Sequence, residues 1–184
     1  MKLNRQLFIN FTLLVLVASL YRVLPRPYGF APQIAMALFA GAVVKDKRFA
    51  FAFPLLSMFL SDLLYQALFI MDLTPIQGFY AGQVENYLMI TSLTLIGFLM
   101  NSQKLKTLVG GFIAGPTAYF LMSNFSVWIG GGGYHRPSTL EGLMLCYADG
   151  IPFYQMSILS TFFFGAVLFG AHQLFLKRLN VQQA

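Results

Sequence analysis

Charge is what this sequence has least of. Only 10% of its 184 residues are Asp, Glu, Lys or Arg, against about 25% in an ordinary soluble domain. That shortage excludes a conventional water-facing surface. Cysteine is nearly absent as well: Cys146 stands alone, so there is no internal disulfide and no CxxC redox pair. Two histidines and the one cysteine build no Cys/His metal cluster, and HExxH, GxSxG and paired intramembrane carboxylates are all missing. No catalytic residue, metal or cofactor is expected, and the chain does not read as an enzyme.

What fills the sequence instead is apolar. Hydrophobic residues make up 58% of it, and mean hydropathy is +0.69. Apolar runs of about 20 residues with few charges read as helices embedded in a lipid bilayer. The pattern predicts an all-α membrane protein, a single domain over 1–184, with six transmembrane helices at about 7–24, 31–44, 49–71, 86–101, 107–125 and 154–176. The second segment has 14 residues, too short to cross unaided; tilting into a thin spot or burial by neighbours would accommodate it. Lys2 and Arg5 before an apolar run imitate a signal peptide, but no small-x-small cleavage site follows, so an uncleaved first helix is expected.

The net charge of +6 would suggest nucleic acid in a soluble chain. Here the positives gather at helix ends, and nucleic acid is not an expected partner. Lys2, Arg5, Lys45, Lys47, Arg48, Lys104, Lys106, Lys177 and Arg178 fall on one face of the six-span plan, while Arg22, Arg26 and Arg136 fall on the other. The positive-inside rule places the first set, and with it both termini, in the cytoplasm. The outer face then carries a long connection, 126–153, which is the place to look for a site.

Small residues recur four apart: Gly110, Ala114 and Ala118, then Gly111 and Gly115, Ala37 and Gly41, Ala166 and Gly170. Such pairs let helices approach closely, inside one chain or against a second membrane subunit. Asp62 is the one acid inside an apolar run, where a charge costs roughly 2.5–3.5 kcal/mol on insertion scales and calls for a partner. Arg22 is the nearest choice. The pair is either structural or part of a substrate or ion site. Asn124 and Trp128 follow at the outer end of the fifth segment, readable as a cap and an interfacial ring or as ligand contacts. With Ser123, Tyr134, His135, Arg136, Tyr147 and Asp149 they mix donors, acceptors and aromatic faces, which suits a small polar-aromatic ligand. Gly130 to Gly133 lack the GxxxxGKS/T context of a phosphate loop, and read as a lid hinge or a plain linker. His172 reads as a packed residue.

The stretches "RVLPRPYGFAPQIAMALFAG" (22–41), "LSDLL" (60–64), "SNFSVWI" (123–129), "YHRPSTLEGLMLCY" (134–147) and "GIPFY" (150–154) resemble a family of small bacterial membrane proteins of unknown function. That family is in turn similar to the substrate-binding S components of energy-coupling-factor (ECF) vitamin transporters. The resemblance implies a compact six-helix bundle in the cytoplasmic membrane with an outer pocket for a vitamin-like nutrient. It also implies docking on a transmembrane coupling subunit that carries two ATPases, and toppling of the whole bundle to deliver the ligand. Family motif positions fall on Arg22, Pro25, Pro32, Asp62, Ser123, Asn124, Trp128, Tyr134, Leu140 and Tyr147. Gly29 stands where the family often has Asn, and the alanine-rich docking motif of S components is absent from the first helix, which has only Ala18. The expected ligand contacts are Arg22, Asp62, Asn124, Trp128, Tyr134 and Tyr147. A structural or assembly subunit of a membrane complex is the alternative.

Overall fold

The computed structural model describes residues 5–181, with side chains from 12 to 175. Lys2 lies outside the described residues, and the side chains of Arg5, Lys177 and Arg178 lie outside the described side chains. Among the described residues the chain is helical throughout: α1 (Arg5–Val23), α2 (Gln33–Val43), α3 (Lys47–Ile70), α4 (Gln83–Ser92), α5 (Thr94–Phe98), α6 (Leu105–Ile129) and α7 (Leu140–Val181). The chain runs back and forth. Segments 24–32, 71–82 and 130–139 meet at one end, which carries Arg22, Arg26 and Arg136. Segments 44–46 and 99–104 meet at the other, beside Lys45, Lys47, Lys104 and Lys106. These are called the arginine end and the lysine end.

Three helices are long and apolar enough to cross a membrane: Lys47–Ile70, Leu105–Ile129 and Leu140–Phe175. α2 is not one of them. Its 11 residues span about 16 Å at helical rise, yet every residue from Gln33 to Gly41 is buried. It is the axle of the molecule, touching α3, α4, α5, α6 and α7. Its composition suits that position, since Ala35, Ala37 and Ala40 leave no surface at all. Where α2 crosses α5 the two backbones touch through glycine. A methyl group on Gly41 would overlap the Thr94 carbonyl oxygen and lie 2.8 Å from the Gly97 Cα; one on Gly97 would lie 2.9 Å from the Gly41 Cα.

Two sequence expectations need correction. The fourth segment is two pieces, α4 and α5, broken at Leu93. The long connection expected at 126–153 is only 130–139, because α6 continues to Ile129 and α7 begins at Leu140, not near 154. Both extra stretches have local causes. The end of α6 is closed by a glycine cap: the Gly132 N–H donates to the Val127 carbonyl (2.9 Å) and the Gly131 N–H to the Trp128 carbonyl (3.2 Å), with Gly131 left-handed at φ +66. α7 starts from Thr139, whose hydroxyl accepts from the Gly142 N–H (3.1 Å) and whose carbonyl takes the Leu143 N–H (3.0 Å), the arrangement of an N-cap. Gly142 and Gly150 look like helix breakers. In the fold they are contact points, the first packed on the Pro137 carbonyl and the second on the Asn124 carboxamide.

The small-residue pairs divide. Gly111 packs on the Met100 sulfur and Gly115 on Leu38 and Ile34, so that face is spent inside the bundle. Gly110 and Gly170 have nothing within 4 Å of a would-be Cβ. His172 sits edge-to-face on Phe39, ring centroids 5.8 Å apart.

Candidate functional site

Two arrangements at the arginine end carry polar chemistry. The first is built on Asp62, which is 1% exposed. Arg22 from α1 forms an ion pair with it; the same guanidinium nitrogen reaches the Ser61 hydroxyl (2.6 Å) and the Met58 carbonyl (3.3 Å). The other Asp62 oxygen accepts from Gln83 Nε2 (2.7 Å) and Tyr87 Oη (2.5 Å), both on α4. Tyr65 donates to the Arg22 carbonyl (2.7 Å), and Arg26 Nε does the same (3.2 Å). Gln83 Nε2 also holds the Gly78 carbonyl (3.1 Å), while Gln66 Oε1 accepts from the Gly78 N–H (3.1 Å). Gly78 lies so close to α3 that a side chain there would overlap the Asp62 carbonyl. A buried carboxylate needs such partners to stay charged. Here they tie α1, α3, α4 and the 71–82 segment together.

The second arrangement is a cavity of about 400 Å³ between the arginine-end halves of α6 and α7, closed on one side by the 24–32 segment. Helical spacing makes its walls. Tyr119, Phe120, Ser123, Asn124 and Val127 fall on one face of α6, and Cys146, Asp149, Gly150, Phe153, Tyr154 and Ser157 on one face of α7. Gly29 supplies the third wall. It is the left-handed residue (φ +80) of a turn closed by the Phe30 N–H to the Pro27 carbonyl (3.1 Å), where glycine is favoured. It lies close enough to α7 that a Cβ would come within 2.6 Å of the Phe153 carbonyl oxygen. Tyr134 and Gly133 enter from the 130–139 segment.

That segment is fastened at several points. Arg136 grips Asp149 with two parallel bonds, Nε to Oδ2 and Nη2 to Oδ1, both 2.9 Å, and the carboxylate holds the guanidinium above its ordinary basicity. The Trp128 indole N–H donates to the Pro137 carbonyl (2.9 Å). His135, left-handed at φ +52, bonds the Gly131 carbonyl through Nδ1 (2.6 Å).

The six residues expected to contact a ligand therefore separate into three groups. Asn124 and Tyr134 line the cavity. Arg22 and Asp62 pair with each other and are not among its lining residues. Trp128 and Tyr147 are not among them either: Trp128 ties the end of α6 to Pro137, and the Tyr147 hydroxyl ties α7 to the Leu121 carbonyl (3.3 Å). The residues that sequence reasoning missed, Tyr119, Phe120, Phe153, Tyr154 and Ser157, recur at three- and four-residue steps from ones it found. The periodicity was the available signal; it was interrupted between Asp149 and Tyr154 because 126–153 was taken as loop, and Tyr119 and Phe120 were passed over on a segment already read as helical. Among the described residues no group of His, Cys, Asp and Glu is placed to hold a metal.

Comparison with curated proteins and with solved structures yields no significant match. A family model does match, over residues 2–183, nearly the whole chain. This all-helical chain, with its three membrane-length helices, belongs to the family of unknown function DUF6580.

Proposed function

We propose that this chain is a substrate-capture subunit for uptake of a small, vitamin-like nutrient across the cytoplasmic membrane. In this reading it sits there as a six-span bundle with both termini inside, resembling the S component of an ECF transporter. The observation that carries the reading is the cavity between α6, α7 and the Gly29 turn. Its volume of about 400 Å³ falls within the range of about 300–1,000 Å³ usual for small-molecule sites, and its wall mixes aromatic rings with a few polar groups, as such sites do. It lies at the arginine end, which the positive-inside rule puts outside the cell. The reading assigns the chain no reaction and no ATP site. Energy would come from a coupling subunit with its ATPases, and the Asp62 cluster would brace the mouth of the bundle rather than touch the nutrient.

Native mass spectrometry of the gently purified protein tests this. A small molecule should be retained, and Asn124→Leu, which fills the cavity, should lose it while the thermal midpoint stays within a few degrees. No retained species from native membranes, or equal retention by the variant, would defeat the proposal.

One observation favours a second reading, an assembly subunit of a membrane complex. Gly110 and Gly170 are exposed with open space before them, a form that suits close approach of a foreign helix. Under that reading Gly110→Leu disrupts a co-purifying complex and leaves the isolated chain folded.

A further inference from the structure

Resting on the capture reading, we infer that the cavity takes an organic cation, an aromatic or quaternary amine, and that Arg136 occupies the ligand's place when the site is empty. Among the described residues, Asp149 is the only charged one on the wall. Arg136, which neutralises it, reaches in from the 130–139 segment and is not a lining residue. The ligand therefore meets a carboxylate and aromatic residues, Phe120, Tyr154 and Tyr134 among them, whose ring faces attract positive charge.

The polar atoms agree in sign. Most donors on the wall are spent inside the protein: Ser157 is directed at the Gly29 carbonyl (3.4 Å), Tyr119 at Asn86 Oδ1 (2.8 Å), and the Cys146 thiol at the Asn124 carbonyl (3.4 Å); the Tyr134 hydroxyl is the exception, with no hydrogen bond among the described residues. Asn124 gives its N–H to the Phe120 carbonyl (2.8 Å), and among the described residues its Oδ1 has no hydrogen bond. An anion would find no cation and few free donors on this wall; a cation finds acceptors and π faces.

The guanidinium of Arg136 is itself a planar cation on Asp149, held by two hydrogen bonds where a quaternary ammonium would be held by charge alone, and set 5.6 Å from the Tyr134 ring. Ligand and Arg136 compete for one carboxylate. Apparent affinity is then reduced by the fraction of time Asp149 is occupied by Arg136, and ligand entry frees the segment whose Pro137 carbonyl holds the Trp128 indole.

Trp128 is the sole tryptophan, so its fluorescence reads this event in the full chain in an uncharged detergent. Titration with benzyltrimethylammonium should give a saturable change. Its neutral isostere neopentylbenzene and the anion phenylmethanesulfonate should give none at the same concentrations. Asp149→Asn should weaken binding at least tenfold, and Arg136→Gln should tighten it several-fold. Both variants break the same ion pair, so a purely structural role moves both the same way; only competition moves them oppositely. An equal response to the neutral or anionic probe, or weaker binding by Arg136→Gln, overturns the inference. Should Asp149→Asn fail to fold, Arg136→Gln alone decides the sign. A neutral or anionic compound retained in native mass spectrometry overturns the cation assignment and leaves the capture reading standing. No retained compound, together with no response to any probe, overturns both.

Discussion

Asp62 spends both carboxylate oxygens on three side chains from two other helices, and that sets what its replacement costs. Asp62→Asn removes the charge that compensates the largely buried Arg22 guanidinium (15% exposed). Breaking a buried pair on one side costs about 3–5 kcal/mol, whereas removing both charges costs less. Denaturant unfolding in micelles should therefore show Asp62→Asn and Arg22→Gln each more destabilised than the double variant. Half of this cluster was legible in the sequence. An acid inside an apolar run demands a partner, and Arg22 stood at the right height on the first segment. Gln83 and Tyr87, both on α4, were not legible: Gln83 precedes the expected fourth segment, and which face of that segment turns toward α3 is set by tertiary packing. Asn124 and Tyr134 line one cavity; Trp128 and Tyr147 share their chemistry but spend their polar atoms on neighbouring carbonyls. Composition alone cannot tell a ring that lines a cavity from one that closes a seam.

At the scale of elements, the α2–α5 crossing gives the sharpest contrast. Neither Gly41 nor Gly97 has room for a methyl group, and forcing atoms into a packed core costs typically 1–3 kcal/mol. Gly41→Ala and Gly97→Ala should each lower the unfolding free energy by about that amount. Gly110→Ala, with nothing within 4 Å, should be neutral or gain up to about 1 kcal/mol from helix propensity; equal losses at all three positions would contradict the crossing. Four-residue spacing flagged Gly41, Gly110 and Gly111 alike. Which glycine faces a partner depends on the rotation of each helix, and that is set by tertiary packing. The start of α7 was misread for a related reason. Gly142, Gly150 and Pro152 argue locally against a helix, but the two glycines are pressed against Pro137 and Asn124, and packing outweighs propensity. The error hid part of the cavity: Phe153 fell in the expected loop, and Asp149, Tyr154 and Ser157 share one face only when a single helix runs through them all.

For the whole molecule, the basic residues are the most economical guide. Loops at the two ends separate Lys45, Lys47, Lys104 and Lys106 from Arg26 and Arg136 along the chain. On a Cys146→Ala background, cysteines placed at Ser102 and Ser138 should react with a membrane-impermeant maleimide from opposite sides of sealed vesicles, Ser138 from the outside. Labelling of both from one side would refute the even-span plan. The all-helical, apolar character was legible because apolar length acts at the scale of whole segments. The inner role of α2 was foreseen only as one of two ways to accommodate a short segment. Its burial has a consequence for how the molecule comes into being. A helix of 11 residues whose first nine have almost no surface cannot be held by lipid, because lipid scarcely touches it. Its surroundings are the rest of the chain, and part of those surroundings, α6 and α7, is synthesised last. During synthesis α2 must wait in a provisional environment, and the native structure closes around it from the C-terminal side.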